Sequence, residues 1–484
     1  MSPSVEPFDE AKYKVLMDGH EIVEIPFKKL ATIIDYRIES EYFAKKFIEN
    51  EKLLLNKPHK KFNQIAITSN GRAYSSEAFS AEGEIYISKI GDVTNKREID
   101  VWEKVSQEEF CLQKGTLLKD GDILMTLTGD PPDVGKVNMV SPNKKRCTWN
   151  QRVAKIDRLD NEYISNNALY AVLSSEICRM QMERFAKGIR QRNLGNDCFS
   201  FVEIPVLCSK LQQALDNLIQ KHINLLDGAK ELYLKAEQLL ISALGMPDFV
   251  PSQQDVSVKL FSESCGFFGR WDAEYYQPKY INYTDALKTT DTVQNICSLN
   301  DKNFVPDASV EYYYIELANV GSTGNIINAK KTSGRDLPSR ARRQVKTGQV
   351  IVASVEGSLQ SCALITEEYN NALCSTGFYV LDSDILNSET LLVLFKSEPI
   401  QALLKQRCSG TILTAITKDE LLSMPLPQVD VTVQKEIAIK VQKSFAQLRK
   451  SEQLLEYTKR AVEIAIEQSE ESAMEWLREK GVEC

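Results

Sequence analysis

Histidine is scarce in this chain of 484 residues, with three copies, and no two cysteines have the Cys-x-x-Cys spacing. The 11 cysteines are scattered, so neither a structural zinc site nor a disulfide framework is predicted, and we interpret them as reduced thiols. No run of 18 apolar residues is present, which excludes a membrane-spanning helix of ordinary length. The N-terminus is acidic and polar, unlike a signal peptide, and we therefore expect a cytoplasmic protein without a membrane partner.

The sequence also lacks a recognisable active site. Residues Gly129–Lys136 (GDPPDVGK) have one residue too many between the glycines for a phosphate-binding loop, and Val137 stands where a Ser or Thr should bind magnesium. The same stretch is similar to the Asp-Pro-Pro-aromatic motif of amino-methyltransferases, but Asp133 replaces the aromatic residue. No glycine-rich site for S-adenosylmethionine accompanies it. The sequence therefore predicts no catalytic residue and no metal, and a self-contained DNA amino-methyltransferase is kept as an alternative.

Acidic residues outnumber basic ones, and the net charge is −8. This excludes a uniformly basic nucleic-acid-binding protein. Local clusters are present, however. The segment from Lys330 to Lys346 has seven cations and one acid, and its Gly, Ser and Pro residues predict an exposed loop that could contact phosphates and guanine edges. A solvated charge run is the alternative. The candidate DNA-binding residues are Lys330, Lys331, Arg335, Arg340, Arg342, Arg343 and Lys346, with Lys144, Lys145, Arg146, Lys187, Arg190 and Arg192 in smaller clusters.

The longest pattern in the sequence is a seven-residue repeat of apolar positions between Lys210 and Leu244. It predicts a helix of roughly 35 residues, or ~53 Å at 1.5 Å per residue, that ends at Gly245 and Pro247. The stripe is narrow and indicates packing against another helix in a coiled coil, whereas packing on its own domain is the alternative. His222 lies on the stripe and is expected to fix the register. The predicted seam contains Leu211, Leu215, Leu218, Leu225, Leu232 and Leu239.

A second repeat near the C-terminus predicts the partner helix, with Ile437, Val441, Leu448 and Leu455 in its seam. The two stretches that precede the repeats share sequence features in the same order. Residues 270–280 (RWDAEYYQPKY) match 37–47 (RIESEYFAKKF), and similar matches join 347–357 to 120–129 and 410–429 to 188–206. The sequence therefore predicts an internal duplication of a globular domain followed by a long helix.

The globular domains are predicted to be mixed α/β. In the first domain, strands are predicted at 21–27, 84–90, 122–128, 136–140 and 152–156, and a helical stretch at 164–185. The predicted fold is two tandem α/β domains joined and spaced by two long helices. The boundaries are 1–20 for an N-terminal tail, 21–206 for the first domain, 207–247 for the first helix, 248–428 for the second domain and 429–484 for the second helix.

Several segments together carry a resemblance to a known family. They are the Arg-x-Asp-Ala-Glu-Tyr-Tyr-like segments that begin at Arg37 and Arg270, the Gly-Asp-Ile-Leu strand at 121–124, the pair Asn150 and Gln151, and the Gly-to-Pro segments before each helix. With their duplicated order, they resemble the specificity (S) subunit of type I restriction-modification enzymes over nearly the whole chain. The first domain departs from the commoner pattern at Ile38 and Ser40.

The resemblance implies that each domain is a target recognition domain that reads one half of a bipartite DNA sequence. The helices would form an antiparallel coiled coil that sets the spacer and docks two methyltransferase (M) subunits. Restriction (R) subunits would be further partners, and the assembly would serve in phage defence. Catalysis, S-adenosylmethionine, ATP and Mg would belong to the partner subunits, so this chain would not be an enzyme. A coiled-coil scaffold without sequence reading is a further alternative.

Overall fold

The structure is a computed structural model. It describes residues 8–21, 23–30, 33, 37–80, 82–94, 103–130, 133–140, 146–159, 163–188, 191–252, 254, 256–261, 270–410 and 414–482. The chain divides into two compact units. Unit 1 is built from residues 1–224 and 451–484, and unit 2 from residues 225–450. Each unit therefore combines one globular domain with parts of two long helices.

The domain of unit 1 is mixed α/β, as predicted. Its helices are α1 (Glu10–Met17), α2 (Phe27–Leu30), α3 (Lys45–Leu55), α4 (Ile90–Thr94), α5 (Gln107–Leu112), α6 (Asn166–Ser174) and α7 (Glu176–Phe185). Its strands are β1 (His59–Lys61), β2 (Ala66–Asn70), β3 (Ile85–Ser88), β4 (Lys104–Val105), β5 (Ile123–Thr126), β6 (Thr128–Gly129), β7 (Val137–Met139), β8 (Cys147–Trp149), β9 (Val153–Arg158), β10 (Arg192–Asn193) and β11 (Glu203–Pro205).

The predicted helical stretch at 164–185 is two helices, because a serine separates them. Ser175 is fully buried, and its backbone is extended. Its Oγ donates to the carbonyl oxygen of Val172 at 2.6 Å and accepts from the backbone N–H of Cys178 at 3.3 Å. The hydroxyl thus ends α6 and caps α7, which is a common role of serine at helix N-termini.

The first long helix, α8 (Ser209–Ala243), leads into unit 2. The helices that follow are α9 (Pro278–Leu287), α10 (Val293–Ile296), α11 (Ser388–Lys396), α12 (Glu398–Arg407), α13 (Lys418–Leu422), the second long helix α14 (Val431–Glu467), and α15 (Glu470–Glu479). The strands are β12 (Ser298–Asn300), β13 (Glu311–Ile315), β14 (Lys330–Ser333), β15 (Ala341–Gln344), β16 (Val350–Ala353), β17 (Ala363–Leu364), β18 (Leu373–Ser375), β19 (Phe378–Asp382), β20 (Cys408–Ser409) and β21 (Ala415–Ile416).

The main sheets of the two units have the same topology. Unit 1 contains an antiparallel sheet of order β2-β9-β5-β7, and unit 2 contains the sheet β12-β19-β16-β17. A second sheet has the order β4-β3-β8 in unit 1 and β14-β13-β18-β15 in unit 2, with one parallel pair in each. The central strands β5 and β16 are buried along their whole length, as expected for strands covered on both faces. The repeated strand order supports the predicted duplication.

Each long helix begins with the same glutamine contacts. Gln212 donates to the carbonyl oxygens of Tyr163 and Leu207 at 2.9 and 2.8 Å, and its Oε1 accepts from Ser165 N at 3.0 Å. Gln434 does the same with the carbonyl oxygens of Ile385 and Val429 and with the N–H of Asn387. The amide of Gln434 is buried and that of Gln212 is half-buried. An amide with all these partners fixes the direction in which the helix leaves its domain.

The two long helices pack against each other in both units. In unit 1 they are antiparallel, because His222 contacts Ser451 while Cys208, before α8, contacts Glu470, after α14. All four named seam residues of α14 are buried. On α8, Leu211, Leu215 and Leu218 are buried, whereas Leu225, Leu232 and Leu239 are half-buried. Tyr233 and Leu240 are buried instead, since they belong to the core of unit 2.

One prediction near the N-terminus, the strand at 21–27, was wrong. Residues 23–26 of the expected strand at 21–27 have no regular structure, and the segment continues into the short helix α2. A strand requires a neighbour to satisfy its backbone groups, and Pro26 removes one donor. The predicted tail contains α1. Asp9 caps this helix by accepting from the N–H groups of Ala11 and Lys12 at 3.1 and 3.0 Å.

Candidate nucleic-acid interface

The sequence predicted an exposed loop for the basic segment of unit 2, but this segment is not a single loop. Its ends form β14 and β15, which lie at opposite edges of the sheet β14-β13-β18-β15, and only residues 334–340 connect them. Charged side chains are common on edge strands, where they oppose edge-to-edge association, and this pattern resembles a polar loop in the sequence. The structure therefore distributes the predicted cations over two sheet edges and the connection between them.

Five of these cations are exposed, namely Lys330, Lys331, Arg335, Arg340 and Lys346. Within the described part of the chain, no carboxylate forms an ion pair with any of these five side chains. Arg342 and Arg343 are half-buried. Arg342 donates to the carbonyl oxygen of Ser339 at 2.9 Å, and Arg343 donates to that of Asp301. The exposed group can therefore meet a polyanion without first breaking an ion pair, whereas the half-buried pair is held by the backbone.

The cations of unit 1 have a different environment. Lys144, Lys145 and Arg190 lie outside the described residues. Arg146 forms an ion pair with Glu84 at 3.7 Å, Lys187 with Asp197 at 3.8 Å, and Arg192 with Glu41 at 2.7 Å. A phosphate would have to compete with these carboxylates, which are exposed and therefore weakly bound to their partners.

Lys187 and Arg192 lie on opposite arms of a hairpin. The N–H groups of Lys187 and Asn193 donate to each other's carbonyl oxygens at 2.9 and 2.8 Å. The side chain of Thr128 donates to Asn193 Oδ1 at 2.7 Å, which ties the hairpin to β6. Gly188 has φ +124°, a backbone conformation that favours glycine. We call the described arms, Lys187–Gly188 and Gln191–Asn193, the first hairpin.

Unit 2 has a corresponding hairpin in the same position after its helix pair. Cys408 and Ser409 pair with Ile416 and Ala415, and we call these residues the second hairpin. The N–H of Ile416 donates to the carbonyl oxygen of Ser354 at 2.9 Å, as that of Leu194 does to Leu127 at 2.8 Å. Gly410 has φ +129°, close to the value of Gly188. The second hairpin is followed by Lys418, which forms an ion pair with Asp301 and lowers the pKa of that carboxyl group.

The sequence did not predict two lysine–tyrosine pairs that the structure contains. Lys104 Nζ lies 5.1 Å from the ring centre of Tyr86 across the pair β3–β4, and Lys331 Nζ lies 5.2 Å from that of Tyr313 across β13–β14. Both pairs have the same separation in sequence, and this coincidence is the signal that could have revealed them. An aromatic face beside a cation can take part in binding nucleic acid, because bases stack on aromatic rings.

Catalytic features are scarce in the described residues. Among them, no group of three or more His, Cys, Asp or Glu side chains could hold a metal ion. Burial raises the pKa of the Cys178, Cys297 and Cys374 thiols to about 12, so these groups are neutral and poor nucleophiles at neutral pH. Gly129–Lys136 leads into strand β7, whereas a phosphate-binding loop leads into a helix. None of the described helices has the length and apolar character needed to span a membrane.

Fold and site together define a duplicated two-domain α/β protein with paired long helices and cations on its sheet edges. No family model and no curated protein matches the chain. Among solved structures, it is similar to the S subunit of a type I restriction-modification system from M. genitalium, with a TM-score of 0.37 and 14% identity over 84% of this chain and 94% of that one. It is also similar to the HsdS subunit from Thermoanaerobacter tengcongensis, with a TM-score of 0.28 and 13% identity over 85% and 96% of the two chains.

Proposed function

We propose that this protein is the sequence-specific DNA-recognition subunit of a type I restriction-modification system and has no catalytic activity of its own. The observation that carries the proposal is the duplication, since both units have the same strand order in their main sheet and begin a long helix with the same glutamine contacts. Two copies of one domain can present two related surfaces to one ligand. A bipartite DNA sequence is a ligand of that kind, since its half-sites follow one another along the duplex.

The charge distribution supports DNA as the ligand. Exposed cations of unit 2 without carboxylate partners, such as Arg335 and Arg340, are suited to phosphate contacts. In unit 1, the first hairpin carries Lys187 and Arg192. Phosphate contacts position a protein on the duplex, and side chains near them then read base edges. Each domain would in this way read one half of the target.

The paired helices would set the spacer between the half-sites and dock two methyltransferase subunits, with restriction subunits joining the assembly. S-adenosylmethionine, ATP and Mg would be bound by those partners and not by this chain. Such an assembly would act on DNA in the cytoplasm, where it would take part in phage defence. The sequence segments that begin at Arg37 and Arg270 resemble those of type I specificity subunits, and this resemblance supports the proposed set of partners.

Mapping of methylated adenines tests the proposal. Cells that express the methyltransferase subunits are compared with and without this chain. The expected result is methylation at one bipartite sequence only when the chain is present, and an unchanged methylation map would overturn the proposal. The purified chain alone separates the alternatives. Binding of S-adenosylmethionine by the isolated chain would indicate a self-contained methyltransferase, and equal affinity for all DNA sequences would indicate a scaffold.

A further inference from the structure

The Arg37 side chain joins three parts of unit 1. Its Nη1 donates to the carbonyl oxygens of Arg184 and Phe185 at 3.1 and 3.4 Å, in the last turn of α7, and to that of Ala186 at 3.5 Å. Its Nε is 3.3 Å from both carboxylate oxygens of Glu39, and its guanidinium carbon lies 4.8 Å from the ring centre of Tyr42. Only 11% of the side chain is exposed.

Arg270 makes contacts of the same three kinds in unit 2. Its Nη1 donates to the carbonyl oxygen of Gln406 at 3.1 Å, in the last turn of α12. Its Nε and Nη2 donate to the carboxylate of Asp272 at 2.8 and 3.0 Å, and its guanidinium carbon lies 4.6 Å from the ring centre of Tyr275. The side chain is 13% exposed. The duplicated sequence segment therefore encodes one duplicated contact.

Physical chemistry explains why arginine occupies this place. The last carbonyl groups of a helix have no partner within the helix, and a cation near them is favoured by the helix dipole. A guanidinium can donate to carbonyls on one side and to a carboxylate on the other while its plane stacks on a ring. A lysine ammonium has neither the planar donor array nor the stacking face.

The contact acts at the point where each hairpin leaves its helix. Ala186, whose carbonyl accepts from Arg37, directly precedes the first hairpin, and the returning arm is held by the ion pair between Arg192 and Glu41 at 2.7 Å. In unit 2, α12 leads directly into the second hairpin. Arg270 also lies 3.6 Å from Glu420, which is buried in α13 after that hairpin. One short segment thus holds both ends of the hairpin in each unit.

We propose that Arg37 and Arg270 are positioning residues, each of which fixes the hairpin of its own unit and so controls the reading of one half-site only. This inference rests on the proposed function for its DNA readout. It assigns a role to the duplicated Arg segment that does not require either arginine to touch DNA. Loss of one arginine should therefore leave the other unit and its half-site unaffected.

The first test uses the full chain without DNA. Amide hydrogen exchange is measured at Lys187 and Asn193 in the first hairpin and at Ile416 in the second, for the wild type, Arg37→Ala and Arg270→Ala. We expect at least tenfold faster exchange at Lys187 and Asn193 in Arg37→Ala alone, and at Ile416 in Arg270→Ala alone. Unchanged exchange at the hairpin of the altered unit, or equal changes in both hairpins, would overturn the inference.

The second test uses the complex with methyltransferase subunits. Methylation is measured on the wild-type target and on duplexes with one altered base pair in either half-site. Discrimination at one half-site should fall about tenfold in Arg37→Ala and at the other half-site in Arg270→Ala, the size of one lost base-pair preference. Equal loss at both half-sites would contradict the inference.

Two further variants keep the result interpretable. Arg37→Lys retains the charge but not the planar donor array, so it should fold where Arg37→Ala does not and should still exchange faster at Lys187. In the exchange test, Arg460→Ala removes an arginine that is paired with Glu463 and Glu467 on α14, which contributes to neither hairpin, and should match the wild type. A wild-type complex without any half-site discrimination would disprove the proposed function, whereas the exchange result would still decide whether Arg37 holds the hairpin.

Discussion

Ser444 Oγ donates a hydrogen bond of 2.7 Å to the carbonyl oxygen of Ala229 on the facing helix, and both residues are fully buried. Small side chains at this level let the two helix backbones approach closely. Ser444→Ala should destabilise the protein by about 0.5–1.5 kcal/mol, the net value of one hydrogen bond. Ser444→Leu should cost more, about 1–3 kcal/mol beyond that loss, because the added volume has no space. Urea unfolding measures both, and a leucine variant as stable as the alanine variant would contradict the close approach.

The seam residues of α8 should differ in importance. Leu215 is fully buried, whereas Leu232 is half-buried. Leu215→Ala should lower the free energy of unfolding by about 2–5 kcal/mol, the range for a leucine deleted from a core. Leu232→Ala should cost less than about 2 kcal/mol, since it loses less buried area and leaves a smaller cavity. Calorimetry of both variants compares their losses of unfolding free energy. A larger loss in Leu232→Ala than in Leu215→Ala would contradict the prediction.

The exposed cations of unit 2 should determine much of the salt dependence of DNA binding. Arg340→Ala should reduce the slope of log K against log salt by about one unit, as expected for one lost phosphate contact. Adding Arg342→Ala and Arg343→Ala should reduce it by up to about one further unit each, and less if these half-buried groups stay on their backbone carbonyls. Fluorescence anisotropy over a salt series gives the slopes. Arg460→Ala is the matched control, and equal slopes for all variants would mean that the segment does not contact DNA.

Insertion of four helix-forming residues near Gly228 and near Leu448 tests the paired helices as a spacer. At 1.5 Å and 100° per residue, the insertion moves one domain by about 6 Å and turns it by about 40°. One to two base pairs advance a duplex by about 3 to 7 Å and turn it by roughly 35 to 70°. A four-residue insertion can be absorbed by local unwinding of the helices. The methylation map should show both half-sites unchanged and a spacer longer by one or two pairs, and an active complex with the original spacer would disprove the idea.

Glu237 on α8 should make stability fall as the pH rises. Burial raises the pKa of this carboxyl above its ordinary value of 4.5, the Lys396 ammonium lowers it, and Glu398 raises it. The folded state therefore binds a proton more readily than the unfolded state. The penalty is absent below pH 4.5, grows as the pH rises through the raised pKa, and is complete above it. Glu237→Gln should raise the Tm at pH 7 and flatten the pH profile, and thermal unfolding at several pH values checks both.

The sequence predicted the second seam better than the first. Ile437, Val441, Leu448 and Leu455 are all buried, as the heptad pattern required. On α8, the core of unit 2 also buries Tyr233 and Leu240, and this second contact depends on a domain that a heptad pattern does not include. The duplication could be read from matched segments because each match is local in sequence.

The sequence predicted the candidate nucleic-acid interface less well than the helix seams. The cations of β14 and β15 lie on opposite sheet edges because both strands pair with residues remote in sequence, and no local pattern specifies that pairing. The role of Arg37 likewise depends on carbonyl groups about 150 residues further along the chain, as the hydrogen bonds to Arg184 and Phe185 demonstrate. Such contacts follow from the tertiary fold, whereas propensity and periodicity describe neighbours.

The division of the chain into units has a consequence for biosynthesis. Unit 2 is contiguous, whereas unit 1 needs residues 451–484 to complete its helix pair. Lys57, for example, donates to the carbonyl oxygen of Gln468 at 2.6 Å across 411 residues of sequence. Long-range contacts of this kind form late, because the entropy of closing the loop must be overcome first. On the ribosome, the unit whose synthesis starts first is therefore the last to be finished, and the part of α8 in unit 1 keeps an uncovered apolar stripe until residues 451–484 emerge.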